Sequence, residues 1–178
     1  IFLLKDKNDF SNDFVPLIWM HNIVRGTIKW PIAKNNKPIG IRKVKGSIKI
    51  LVPNKNYILV KRFSTKEGKQ RICAGIFLKD HFNTDFIGIE NHVNYIYKRE
   101  SELTLNEAYG ITTLLNSKLY NEYLQIINGS TQVNATEIRN LPLPPLKIIK
   151  EIGASVGKLN TEDKILEEES IMNILKID

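Results

Sequence analysis

Thr104-Leu-Asn-Glu-Ala-Tyr-Gly-Ile-Thr-Thr-Leu-Leu115 is the stretch where the chain changes character. The Thr104 hydroxyl is placed to cap a helix, and Glu107, three residues on, can reach back to the Thr104 amide in a capping box. From there Ala108, Ile111, Leu114, Leu115, Leu119, Tyr123 and Ile127 recur at helical spacing. A break falls near Asn116-Ser117 and a close at Asn128-Gly129, so one long helix or two short ones fit equally. Asn134 with Glu137 repeats the capping pattern for a brief helix, which must stop before Leu141-Pro-Leu-Pro-Pro145 because proline supplies no amide donor. Residues 146–159 and 162–176 are amphipathic and read as a terminal helical hairpin joined at Asn160-Thr161, with Glu167-Glu168-Glu169 on its solvent side.

Upstream of Thr104 the pattern is different. Residues 15–20, 23–30, 47–52, 57–63, 71–77 and 92–97 read as short strands. Polar loops at Asn35-Asn36-Lys37-Pro38 and Pro53-Asn54-Lys55-Asn56 separate them, with a hairpin turn expected at Lys66-Glu67-Gly68-Lys69. The fold class is therefore α+β: a mainly antiparallel, twisted β-sheet over residues 1–100, then a helical part over 101–178, together one domain of 178 residues. A hydrophobic content of 42% is enough for a core, and no apolar run approaches the roughly 18 residues of a membrane span. The single cysteine, Cys73, lies in an apolar strand, excludes an internal disulfide and suits a reducing cytoplasm. The chain opens Ile1-Phe-Leu-Leu4 without an initiator Met or a secretion leader, which reads as a fragment whose chemistry lies upstream.

Charge is distributed unevenly. Residues 1–100 hold nineteen Lys and Arg against eight Asp and Glu, a balance of +11, whereas residues 101–178 hold seven against eleven, a balance of −4. Between Arg25 and Lys79 fifteen basic residues meet one acidic residue, Glu67, and they are threaded with strand formers rather than gathered in a tail. A folded basic surface of this kind suits a polyanion, since each neutralised phosphate releases condensed counterions; a solvated basic face is the plainer alternative.

Catalytic motifs are sparse. Glu67-Gly68-Lys69 matches the Glu-x-Lys triplet of metal-dependent nucleases, but the nearest upstream carboxylate is Asp13, three strands away, so a charged turn is the better reading. His21, His81 and His92 are scattered, and with one Cys there is no zinc-ligand spacing. Pro144-Pro145 lacks the preceding Asp or Asn and the following aromatic of an adenine-methylating motif, so no catalytic residue is assigned to this segment. What remains are groups suited to reading DNA. The strand from Asn56 delivers Lys61, Arg62 and Ser64 to its end, followed by Thr65, Lys66, Lys69 and Arg71. Arg and Lys pair with guanine O6 and N7, while Ser, Thr and amides more often hold phosphate. The polar run at residues 128–134 could offer Asn or Gln to adenine, or could be a capped loop.

Three motifs carry a family resemblance: Asn56-Tyr-Ile-Leu-Val-Lys-Arg-Phe-Ser-Thr-Lys-Glu67, Ile89-Glu-Asn-His-Val-Asn-Tyr-Ile96 and Asn128-Gly-Ser-Thr-Gln-Val-Asn-Ala-Thr-Glu-Ile-Arg-Asn-Leu-Pro-Leu-Pro144. With Pro16-Leu-Ile-Trp19 and Lys29-Trp-Pro31, they make residues 14–157 resemble the C-terminal target-recognition domain of restriction-modification DNA adenine-N6 methyltransferases of the gamma class. The resemblance implies an upstream domain that binds S-adenosyl-L-methionine and carries catalysis, while this segment binds no cofactor or metal itself. It implies double-stranded DNA as the partner, a target adenine rotated out of the stack, a cognate endonuclease as a companion and a cytoplasmic location. On that basis Lys61, Arg62, Ser64, Lys66 and Arg71 are the first candidates for DNA contact, and Asn91, His92 and Asn94 the second. Those last three fit structural roles equally well. Ser130, Thr131 and Gln132 are expected to face DNA, Asn134 to cap a helix, and Arg139 to reach either phosphate or a neighbouring carboxylate. Trp19 and Trp30 read as packing residues. The competing function is the specificity module of a type I restriction-modification system, which reads DNA without catalysis of its own; an RNA-binding protein fits less well.

Overall fold

The computed structural model describes residues 3–6, 11–32, 36–64, 70–128, 130, 132–159 and 166–177. Strand formers dominate its first half, as β1 (Leu3–Leu4), β2 (Phe14–Ile18), β3 (Ile23–Val24), β4 (Gly26–Ile28), β5 (Gly40–Arg42), β6 (Leu51–Pro53), β7 (Tyr57–Lys61), β8 (Ala74–Phe77), β9 (Phe86–Ile89) and β10 (Val93–Ile96). Among the described residues these form two five-stranded sheets, ordered β1-β5-β2-β9-β6 and β10-β7-β8-β4-β3. Pairing is antiparallel except for β2 with β9 and β4 with β8. The unbroken apolar run Tyr57-Ile-Leu-Val60 is explained by its position, since β7 lies inside the second sheet and is buried on both faces. Ile58 and Val60 join Ala74 and Ile76 in a core shared with the helices, while Tyr57, Leu59 and Phe77 meet Ile18 and Ile87 of the first sheet. The second sheet is thus the middle of three layers.

The helices follow as α1 (Leu105–Asn116), α2 (Lys118–Ile127), α3 (Ala135–Arg139), α4 (Leu146–Gly157) and α5 (Glu168–Leu175). The capping box at Thr104 and Glu107 is present, with Glu107 N donating to Thr104 Oγ1 at 3.3 Å and Thr104 N to Glu107 Oε2 at 3.0 Å. The expected break is real: Ser117 ends α1, and its hydroxyl accepts from Tyr120 N to start α2. Asn134 caps α3 as expected, accepting from Thr136 N and Glu137 N. Within the acidic cluster Glu168 turns inward rather than to solvent: its carboxylate accepts from Lys118 N at 2.7 Å and Leu119 N at 2.9 Å, where the α2 dipole favours negative charge. The joint at Asn160-Thr161 and the turn at Lys66-Glu67-Gly68-Lys69 lie outside the described residues.

Three strands escaped the sequence pattern. β1 has two residues, β5 opens on Gly40, and β9 holds Gly88, where a Cβ would come within 2.8 Å of Ile41 Cδ1. The strand expected at 47–52 begins instead as a 3-10 turn at Ile48–Ile50. Two asparagines join the halves of the molecule. Asn121 Oδ1 accepts from Arg71 N at 2.6 Å and Ile72 N at 2.8 Å. Asn116 Oδ1 accepts from Ala74 N at 3.0 Å, while its amide donates to Ala74 O at 2.9 Å. Helix α4 crosses α1 at close range, because a Cβ on Gly153 would lie 1.8 Å from Asn106 O and one on Gly110 2.0 Å from Ile149 O.

Glu107 is buried at 1% exposure beneath Lys98, whose ammonium lies 2.8 Å from Oε1, and Lys150, at 3.4 Å. Burial alone would favour the neutral acid, but Lys98, Thr104 and Lys150 together bring its pKa down from 4.5 to about 2. A carboxylate depressed on folding contributes stability that is full above its unfolded pKa and is lost as pH falls through the folded value. Unfolding free energy should therefore decline between about pH 5 and pH 2, and Glu107→Gln should flatten that decline. Denaturant titrations across this range check it; equal pH slopes in both proteins would contradict the assignment.

Candidate functional site

The three sequence motifs meet at one end of the second sheet. β7 pairs with β10, and beyond it Arg62 N donates to His92 O at 3.0 Å. The polar segment that follows α2 joins from the other side, since Val133 N donates to Arg62 O at 2.8 Å and Phe63 bridges Gln132 in antiparallel register. Asn94 Nδ2 then donates to Val133 O at 2.8 Å, so this candidate residue serves as a clamp. The segment is fixed internally as well. Asn128 Oδ1 accepts from Ser130 N at 2.8 Å, and its amide donates to Gln132 O at 3.0 Å and to the Glu137 carboxylate.

At the centre lies Arg62. With the Gln132 amide turned so that its oxygen faces the guanidinium, that oxygen accepts from Arg62 Nε at 3.0 Å and Nη2 at 2.9 Å. Arg62 Nη1 also reaches the Asn91 carbonyl, at 3.5 Å. The bonds to Gln132 occupy its oxygen and two guanidinium donors, so what the pair has left over is the Gln132 amide nitrogen and the remaining guanidinium protons, donors all. Asn91 is a turn residue, and His92 is held by Glu90, whose carboxylate accepts from His92 N at 3.1 Å and from Nδ1 at 2.5 Å. Arg71 joins through Nη1, which donates to Ser130 O at 3.3 Å.

Other candidates lie apart. Strand alternation sends Lys61 to the face opposite Arg62, on the side of Cys73, whose carbonyl accepts from Lys61 N at 3.0 Å. Burial raises the Cys73 pKa while Lys61 and Arg25 pull against it, and its half-buried place on the Tyr57 and Phe77 side bears out a core role. Ser64 is half-buried just past the bridge, and Lys66, Thr131 and Gly129 lie outside the described residues. Arg139 is exposed and has no ion pair among the described residues; it lines a groove of about 550 Å³ beside Asn94, Tyr95, Tyr97 and Arg99. Arg99, which no sequence motif marks, lines the same groove. Trp19 and Trp30 pack as expected, their indole nitrogens donating to Pro38 O and Ile39 O. Among the described residues no three His, Cys, Asp or Glu side chains gather as metal ligands, and no helix is long and apolar enough to cross a membrane.

No family model matches the chain. It is 36% identical over 160 residues to the type II methyltransferase M.PstI of Providencia stuartii, covering 90% of this chain and 32% of that protein. It is 35% identical over 168 residues to the type II methyltransferase M.BsuBI of Bacillus subtilis, covering 89% of this chain and 32% of that protein. The homologues are type II methyltransferases. The chain spans about a third of the length of these curated relatives.

If Arg62 and Gln132 act as one unit, a double-mutant cycle with Arg62→Ala and Gln132→Ala should give a coupling of about 1 kcal/mol in thermal stability. Additive losses would contradict the pairing.

Proposed function

We propose that this chain is the target-recognition part of a site-specific DNA adenine-N6 methyltransferase of a restriction-modification system. It grips duplex DNA while a separate domain of the same polypeptide holds S-adenosyl-L-methionine and methylates an adenine rotated out of the helix. The observation that carries this reading is the likeness to a third of two type II methyltransferases. Beside it stand the basic first half and the convergence of three polar motifs on one sheet end.

The roles divide by what each side chain already holds. The donors left on Arg62 and Gln132 suit acceptor pairs, such as guanine O6 and N7, or phosphate oxygens. Ser64, Ser130, Arg71 and Arg139 are proposed to hold phosphate, as are Lys66 and Thr131. Asn91, His92 and Asn94 keep the platform in shape. A specificity module that merely recruits a separate methylase is the weaker reading, because both relatives are methyltransferases. Extrusion of a paired base costs a few kcal/mol, which contacts of this kind help to offset. A cognate endonuclease and a cytoplasmic setting follow from the same proposal.

The chain should bind random-sequence duplex DNA with an affinity that falls steeply with salt. Arg139→Ala should reduce the slope of log affinity against log salt by about one, as the loss of one phosphate contact requires. Fluorescence anisotropy over graded KCl measures both; absence of duplex binding, or binding insensitive to salt, would sink the proposal.

A further inference from the structure

The loop between β5 and β6 is built in a way that neither the core nor the Arg62 cluster requires. Ser47 is fully buried and organises it, donating from Oγ to Arg42 O at 2.6 Å and accepting from Val44 N at 3.0 Å. Ser47 N and Ile48 N both donate to Val44 O, and Ile50 N donates to Ser47 O. This fixed turn holds two large apolar side chains in water, Ile48 at 45% and Ile50 at 51% exposure. Lys45 and Lys49 flank them, both exposed and without an ion pair among the described residues. A Cβ on Gly46 would meet nothing within 4 Å, and the backbone there does not need glycine's left-handed conformation, so the fold itself leaves this position open.

Register places the loop. Leu51 pairs with Gly88 in antiparallel β6–β9, so Ile50 leaves the ladder alongside Ile89, two residues before the Asn91-His92 turn that abuts Arg62. Isoleucines exposed beside lysines, on a stretch of chain with no acidic residue between Arg25 and Glu67, fit a partner that is anionic outside and apolar within. A nucleic-acid duplex has that chemistry, since phosphates line its grooves while sugars and base edges floor them.

Resting on the recognition reading above, we infer that the turn at residues 45–50 is a second DNA-contacting element. Lys45 and Lys49 hold phosphates, while Ile48 and Ile50 pack on sugar or base atoms within a groove. The two residue classes then leave different signatures. Lys45→Ala with Lys49→Ala should lower the salt slope by about two. Ile48→Ser with Ile50→Ser should weaken binding about tenfold at every salt concentration and leave the slope unchanged. Gly46→Glu should block binding without lowering the melting temperature.

All variants of the 178-residue chain are compared by anisotropy on a short random-sequence duplex, with thermal melts confirming the fold. If the loop variants bind as the native chain does while Arg139→Ala weakens binding, the loop is outside the interface and the recognition reading stands. If the native chain binds no duplex, both fall.

Discussion

The architecture turns on two asparagine side chains. Asn116 and Asn121, at the junction of α1 and α2, satisfy backbone groups of Arg71 and Ile72, which precede β8, and of Ala74, the strand's first residue, whose N–H and C=O both bond Asn116. A buried amide without an acceptor costs about 1 to 3 kcal/mol, so these bonds fix the second sheet against the helices rather than decorate a contact. The close crossing of α4 over α1, through Gly110 and Gly153, holds the helical layer in turn. Because the segment after α2 continues from the same helix pair, anchoring α2 to the sheet also delivers Gln132 and Val133 to the end of β7.

That delivery gives the candidate site its character. Arg62 is ordered before any ligand arrives, by the Gln132 oxygen and the Asn91 carbonyl. An ordered guanidinium loses less entropy on binding than a free one, and its direction is set by the fold. The neighbouring polar residues divide into those that build, such as Asn94, Asn128, Ser130 and Glu137, and those that remain outward, such as Arg139. The first half carries the basic excess of the chain, and an excess of that sign favours polyanions in general without choosing a sequence.

Much of this was legible beforehand, and the exceptions have physical causes. Capping boxes at Thr104 and Asn134 and the Asn116-Ser117 break could be read because they are local, with all partners within a few residues. The β7 stretch was legible because it is buried on both faces. β1, β5 and β9 were not, being short and dependent on neighbours far along the chain. The division into two sheets and the asparagine clamps are equally non-local, spanning some 42 to 50 residues. For the site, the motifs were visible but their contacts were not. Lys61 and Arg62 are adjacent in sequence yet fall on opposite faces, and Glu168, read as solvated, caps α2.

The central claim, that this chain directs a methyl group to chosen adenines, is tested most directly by mapping modified bases. The open reading frame containing this segment would be expressed in a host without DNA methylation, and its DNA read for N6-methyladenine. N6-methyladenine confined to one short motif, and spread or lost on substituting Arg62 and Gln132, is the result the account predicts. Unmodified DNA in the presence of soluble protein, or modification without sequence preference, would contradict it.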